Sequence, residues 1–130
     1  MKNKIFILNV KNEQTRLFKK RLYTFVLRLV GCIDKLPHDS VSKIIGDQLI
    51  RSGTGILGTY VEGLSAASKK DYINYFHHAL KSTNESKVWI AILRDTKRMP
   101  SEDANWLLKE LEEYSKIFGS SLITLKGKSI

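Results

Sequence analysis

Apolar side chains recur along four stretches of the chain at alternating spacings of three and four residues. In the first stretch these positions are Phe18, Leu22, Phe25, Leu29, Cys32 and Leu36. A period near 3.5 residues is typical of a helix whose apolar seam packs against other helices. The pattern predicts a first helix from about Gln14 to Leu36, with its basic side chains largely off the seam.

Proline and capping residues predict where the later helices begin and end. Pro37 precedes two residues that can accept hydrogen bonds from the free N–H groups of a helix start. Ser68 and Asp71 form a pattern like a capping box, and acids follow Pro100, where they favour a helix N-terminus. The expected helices run from Asp39 or Ser40 to about Glu62, from Ser68 to about Arg98, and from Pro100 to about Leu125.

Four long helices joined by short links predict an all-α fold, an antiparallel up-down four-helix bundle. The expected organisation is an N-terminal arm or tail over residues 1–13, a bundle over 14–125 and a basic C-terminal tail over 126–130. The apolar run in residues 4–8 leaves three alternatives open: a short strand, a docking arm or a tail. Rods of this shape commonly associate side by side.

The second helix is unusually rich in small residues, namely Gly46, Ser52, Gly53, Gly55 and Gly58. A glycine inside a helix costs about 1 kcal/mol relative to alanine. Close approach of another helix would offset that cost, so we expect helix contacts here, with Gly63 as the stop.

The formal net charge of +9 is unevenly distributed along the 130 residues. Residues 1–35 hold nine basic and two acidic side chains, whereas 99–125 hold two basic and five acidic ones. Two interpretations follow: a surface for a polyanion, or a basic first helix paired with an acidic last one. The candidate nucleic-acid-binding residues are Arg16, Lys19, Lys20 and Arg21, supported by Lys69 and Lys70.

Motifs for catalysis, cofactors and metals are weak. Gly53-Thr-Gly-Ile-Leu-Gly58 matches a dinucleotide-binding pattern, but that pattern needs a preceding strand, and the preceding residues read as helical. His77 and His78 are adjacent, so they point about 100° apart on a helix, and His38 lies in a turn. Cys32 is expected to be a small buried hydrophobe. We therefore expect no catalytic residue, no cofactor and no metal ion.

Polar residues near the expected helix contacts remain to be placed: Gln48, Arg51, Glu62 and Glu85. If they are buried, the arginine should pair with a glutamate, because an unpaired buried charge is costly. A structural network that fixes helix packing is the favoured interpretation. The alternative is an enzyme site at the arginine and the two glutamates, which would need a pocket open to solvent.

The order and spacing of several segments resemble the bacterial 23S rRNA intervening-sequence proteins over roughly residues 14–125. The matching segments are Leu22-Tyr-Thr-Phe25, Leu36-Pro37, Gln48-Leu-Ile-Arg-Ser52, Tyr60-Val-Glu-Gly63, Ala67-Ser-Lys-Lys-Asp-Tyr72, Ala79-Leu-Lys81, Glu85-Ser86 and Trp89-Ile90. The chain departs from the family's pattern at the glycines of the second helix and at Ser82, where glutamate is common.

The resemblance implies a four-helix bundle that assembles as a homopentamer around a central channel. A related group accompanies the reverse transcriptase of diversity-generating retroelements and binds nucleic acid. We therefore expect a non-enzymatic, oligomeric protein that binds RNA or DNA. The alternative is a protein-interaction subunit for a nucleic-acid enzyme such as a reverse transcriptase. No stretch of the sequence approaches 18 apolar residues, so we expect no membrane span and a cytoplasmic location.

Overall fold

The computed structural model describes the backbone of residues 2–127 and the side chains of residues 13–127. Four helices make up the fold: α1 (Lys2–Asp34), α2 (Ser40–Leu64), α3 (Lys69–Asp95) and α4 (Ser101–Leu125). Consecutive helices pack against each other, α4 returns to α1, and the two diagonal pairs make no close backbone contact among the described residues. The predicted all-α four-helix bundle is confirmed.

The starts of α2 and α3 follow the capping chemistry that the sequence predicts, whereas α4 begins after Pro100 without a side-chain cap hydrogen bond. Asp39 caps α2, where its side chain accepts a hydrogen bond from the Ser42 N–H at 2.8 Å. Ser68 caps α3 by accepting from the Asp71 N–H at 3.1 Å. These bonds satisfy N–H groups that would otherwise lack a partner at a helix start.

Two helix ends differ from the prediction. The backbone of α1 is helical from Lys2 rather than from about Gln14, so residues 4–8 do not form a strand. At the other end of the bundle α3 stops at Asp95 rather than near Arg98. Lys97 there has a φ of 62°, a left-handed conformation that a continuing helix cannot contain.

The division into terminal arm, bundle and tail stays a prediction. Side chains before Glu13 lie outside the described residues, as do residues 128–130 of the expected basic tail. Within the described range, α4 ends with the Lys126 N–H donating to the Leu122 carbonyl oxygen at 3.0 Å and the Gly127 N–H donating to that of Thr124 at 3.1 Å.

An aromatic cluster fills the core at the level of Phe18 on α1. This ring lies 5.1 Å from Tyr60, 5.7 Å from Tyr114 and 5.7 Å from Phe118, measured between centroids, each in an edge-to-face arrangement. Such pairs add roughly 0.5–1.5 kcal/mol each beyond the burial of their area. Cys32 is also buried, as predicted.

The glycines of α2 admit side chains of its neighbours, as expected, though not at every position. A Cβ on Gly53 would overlap the Leu29 side chain of α1, and one on Gly63 would lie 2.9 Å from the Cβ of Tyr75 in α3. Gly58 is exposed, and a methyl group added there would meet no atom within 4 Å. The expectation that Gly63 stops α2 was wrong, since the helix continues to Leu64 and this glycine serves packing.

Candidate nucleic-acid interface

The basic cluster of α1 divides into two parts with different surroundings. Arg21 turns toward α4, where its Nε and Nη2 donate to the two carboxylate oxygens of Glu110, each at 2.9 Å. The same carboxylate accepts a hydrogen bond from the Tyr114 hydroxyl at 2.8 Å. These bonds hold the pKa of Glu110 below its ordinary value, chiefly through Arg21, and so keep it ionised. Arg21 is thereby committed to a structural pair.

The other members of the cluster face solvent. Arg16 pairs with Glu13 one turn earlier on the same helix, an exposed contact of little energetic weight. Lys19 and Lys20 are exposed, and no carboxylate of residues 13–127 lies within ion-pair distance of either one. These two lysines are therefore available to a ligand.

Cations further along α1 also pair with α4. The Arg28 guanidinium lies 4.3 Å from the ring centroid of Trp106 and 3.9 Å from the carboxylate of Asp103. Lys35 reaches the same aspartate at 3.4 Å. The interpretation that the basic first helix pairs with the acidic last one thus holds for three cations. Sequence reasoning did not single out Arg28 or Lys35, although both follow Arg21 at intervals of seven residues.

Lys69 and Lys70 occupy the first turn of α3, where both are exposed. Cations at a helix N-terminus oppose the helix dipole, which favours negative charge there. Asp71 is the acidic residue of that turn. Because this placement does not stabilise the helix, the two lysines fit a role in binding an anion better than a role in folding.

The two lysine pairs lie toward the same end of the bundle but on diagonal helices, α1 and α3, whose described residues make no close backbone contact. Phe18 of α1 and Phe76 of α3 both touch the Phe118 ring, at 5.7 Å each, which places them at one level. Lys69 and Lys70 lie nearly two turns beyond that level, or about 10 Å at roughly 1.5 Å per residue. A ligand that contacts both pairs must therefore wrap around the bundle or bridge two copies of the chain.

The four polar residues predicted to form a network are not joined within one chain. Arg51 and Glu62 are exposed, while Gln48 and Glu85 are half-buried. Glu85 accepts a hydrogen bond from the Trp89 indole N–H at 3.1 Å. Among residues 13–127, no hydrogen bond or ion pair links any two of the four. The condition for an arginine–glutamate pair, burial of both groups, is not met in the single chain.

The arrangement offers little for a cofactor or a metal ion. Gly53-Thr-Gly-Ile-Leu-Gly58 lies in the middle of α2, so its backbone N–H groups are used by the helix and cannot hold a pyrophosphate. No group of three potential metal ligands occurs among the described residues. A surface groove of about 520 Å³ beside the α1–α2 turn contains Asp34, Asp39 and Asp47 beside Lys43, a lining unsuited to a polyanion.

None of the described helices is both long enough and apolar enough to cross a bilayer. The fold and the surface together define a class: small four-helix-bundle proteins with a basic surface and an oppositely charged seam between the first and last helices.

The sequence model of the family described as 23S rRNA-intervening sequence protein matches residues 16–120, and the chain belongs to that family. It is also similar to a solved structure from Bacteroides thetaiotaomicron VPI-5482, a protein with unknown function from the S23 ribosomal protein family. The two chains are 28% identical, the match covers 80% of this chain and 96% of the other, and the TM-score is 0.75. No curated protein matches the sequence.

Proposed function

We propose that the protein is a non-enzymatic, oligomeric scaffold that binds nucleic acid through its phosphate backbone. The observation that carries the proposal is the set of exposed lysines, Lys19, Lys20, Lys69 and Lys70, that have no carboxylate within ion-pair distance among residues 13–127. The family's description, which refers to an intervening sequence of 23S rRNA, is compatible with an RNA ligand. A cytoplasmic location is part of the proposal.

The formal charge of +9 supports association with a polyanion. Each lysine that neutralises a phosphate releases a condensed counterion, so binding should weaken steeply as salt rises. In an oligomer the lysine pairs repeat around the assembly. Contacts that are weak on one chain then add up along a single nucleic acid.

The test is a salt series of binding to a structured RNA and a duplex DNA, with Lys19→Gln/Lys20→Gln compared with wild type. We expect the variant to bind several-fold more weakly and to lower the slope of log affinity against log salt by about 1–2. Lys109→Gln/Lys126→Gln is the matched control, because it removes the same charge from exposed positions on the α4 side. If both variants weaken binding equally, the loss reflects net charge alone, and this result would contradict Lys19 and Lys20 as the binding site.

Assembly into a homopentamer is also a proposal, supported by exposed apolar side chains outside the core. Leu27, Ile44, Val88 and Ile123, one on each helix, are each more than half exposed, and lateral contact between copies would remove them from water. Light scattering should give a mass near five times the 14.9 kDa of one chain. A mass of one chain at micromolar concentration would contradict the proposal.

The second candidate is a protein-interaction subunit for a nucleic-acid enzyme. Leu27 and Val30 favour it, because both are exposed one above the other on the outer face of α1. This candidate predicts negligible affinity for nucleic acid even at low salt. A protein partner whose binding is lost in Leu27→Asp would then replace the first proposal.

A further inference from the structure

Tyr23 is an exposed aromatic residue in a chain that otherwise packs its tyrosines. Its side chain is 55% exposed, whereas Tyr60 and Tyr114 are 5% and 0% exposed and Tyr72 and Tyr75 are half-buried. Within residues 13–127, Tyr23 makes no side-chain hydrogen bond and no ring contact. Tyr23 is thus the most exposed tyrosine of the described residues, without an aromatic or hydrogen-bonding partner among them.

The position of Tyr23 on α1 places it among the cations of the candidate interface. Lys19 and Lys20 precede it by four and three residues, and Arg16 precedes it by seven, so all lie on the same outward surface of the helix. Aromatic side chains in helices lean toward the N-terminus. The ring of Tyr23 therefore leans over the turn that carries Lys19 and Lys20.

We infer that Tyr23 is a stacking platform for an unpaired base, with Lys19 and Lys20 holding the flanking phosphates. This inference rests on the proposed function and sharpens it by naming the ligand class: nucleic acid with single-stranded bases, in a loop, a bulge or an open strand. Stacking on an aromatic ring needs an exposed base face, and the bases inside a duplex cover each other's faces.

The surroundings of Tyr23 favour nucleic acid over a second protein. An apolar protein surface laid over this turn would have to remove water from two lysines, which costs free energy unless carboxylates pair with them. A nucleic acid supplies phosphates that pair with the two lysines and flat bases that can stack on the tyrosine ring. Further along the same face, no cation stands three or four residues from Leu27 or Val30, so these two side chains are left to other contacts.

The test compares Tyr23→Leu with Tyr23→Phe, using an oligouridine strand and a blunt RNA duplex of the same length as probes. Leucine keeps an apolar side chain but removes the ring, whereas phenylalanine keeps the ring. We expect Tyr23→Leu to bind the single strand roughly tenfold more weakly and the duplex unchanged, with Tyr23→Phe like wild type. Val41→Ala, at an exposed apolar position at the start of α2, is the matched control and should leave both affinities unchanged.

Each outcome separates the inference from the proposed function. If wild type binds neither probe at low salt, the proposed function fails and the inference fails with it. If wild type binds but Tyr23→Leu binds the single strand equally well, the inference is overturned and the proposed function stands. If Tyr23→Leu instead lowers the mass of the assembly by light scattering, Tyr23 belongs to a protein interface, which also overturns the inference.

Discussion

The α2–α3 and α1–α4 helix pairs join neighbouring helices by opposite means. Between α2 and α3 the contacts are made by small residues: the Ser52 and Ser86 hydroxyl oxygens lie 2.8 Å apart, and Gly63 admits the side chain of Tyr75. Both serines are buried. Small side chains allow two backbones to approach closely, and these two helices have the most extensive contact in the bundle.

Between α1 and α4 the contacts are made by some of the longest side chains in the sequence. Arg21 spans the gap to Glu110 and Arg28 lies over Trp106, while the backbones make few close approaches. The α2–α3 contact therefore depends on small side-chain volume, whereas the α1–α4 contact adds charged pairs to its aromatic packing. Changes in side-chain size should damage the first, whereas changes in charge, salt or pH should damage the second.

The largest effect is expected from Ser86→Leu. Its side chain is 0% exposed, so the larger leucine would force α2 and α3 apart and remove the hydroxyl group that bonds Ser52 across the two helices. We expect the free energy of unfolding to fall by about 3 kcal/mol. Urea denaturation measures this change. Val88→Leu, at an exposed position on the same helix, should change the stability by less than about 0.5 kcal/mol.

A smaller loss is expected from Gly63→Ala. The new methyl group would lie 2.9 Å from the Cβ of Tyr75, an atom that cannot rotate away. Overpacking should lower the free energy of unfolding by about 2 kcal/mol, and the higher helix propensity of alanine should restore about 1 kcal/mol. The expected net loss is therefore about 1 kcal/mol. Gly58→Ala on the same helix meets no atom and should gain stability. Thermal unfolding of both variants tests the contrast, and equal shifts would contradict it.

For the α1–α4 seam we predict a coupling of about 1 kcal/mol or less between Arg21 and Glu110. A double-mutant cycle with Arg21→Met and Glu110→Gln measures it, since glutamine keeps an acceptor for the Tyr114 hydroxyl. The coupling should shrink as salt rises from about 0.1 to about 1 M, because the screening length falls from about 10 Å to about 3 Å. A coupling that does not change with salt would mean that packing rather than charge joins these helices.

The smallest expected effect is the loss of folding stability at acid pH. Because Arg21 holds the pKa of Glu110 below its ordinary value, the folded state resists protonation of that carboxylate. The contribution of Glu110 to stability is fully present above the pKa that this carboxyl has in the unfolded state. It is lost as the pH falls through the pKa of the same carboxyl in the folded state. Between about pH 5 and about pH 3, wild type should therefore lose more stability than Glu110→Gln. Urea denaturation measures the stability of both proteins across this pH range. If wild type and Glu110→Gln lose stability in parallel, the assigned role of the Glu110 carboxylate is contradicted.

Much of the fold could be predicted from the sequence because its signals are local. The apolar spacing indicated four helices, the cap at Ser68 was correctly placed, and Asp39 was one of the two residues expected to cap α2. The start of α1 was missed because residues 2–13 lack an amphipathic repeat, yet they also contain no proline or glycine that would end a helix. The end of α3 depends on the left-handed conformation of Lys97, and a lysine in the sequence does not predict that conformation.

The candidate site was less predictable because it depends on which flank of a helix faces which neighbour. Arg51 adjoins the buried Ser52 in sequence, but one residue is a rotation of about 100°, enough to turn Arg51 to solvent. Arg21 and Lys20 likewise differ by one position, and α4 captures the first while leaving the second exposed. Spacing alone finds the cations and cannot tell which of them are already paired.

The pairs between α1 and α4 also have a geometric consequence. Arg21 and Arg28 are seven residues apart, and so are their acidic partners Glu110 and Asp103 on the antiparallel helix. This matched interval favours one axial register of the two helices, the same register in which Phe18 of α1 meets the rings of Tyr114 and Phe118 on α4. A one-turn slip would separate Glu110, whose side chain is 19% exposed, from its cation. The charged pairs and the ring contacts thus select the same alignment of α1 and α4 along the bundle.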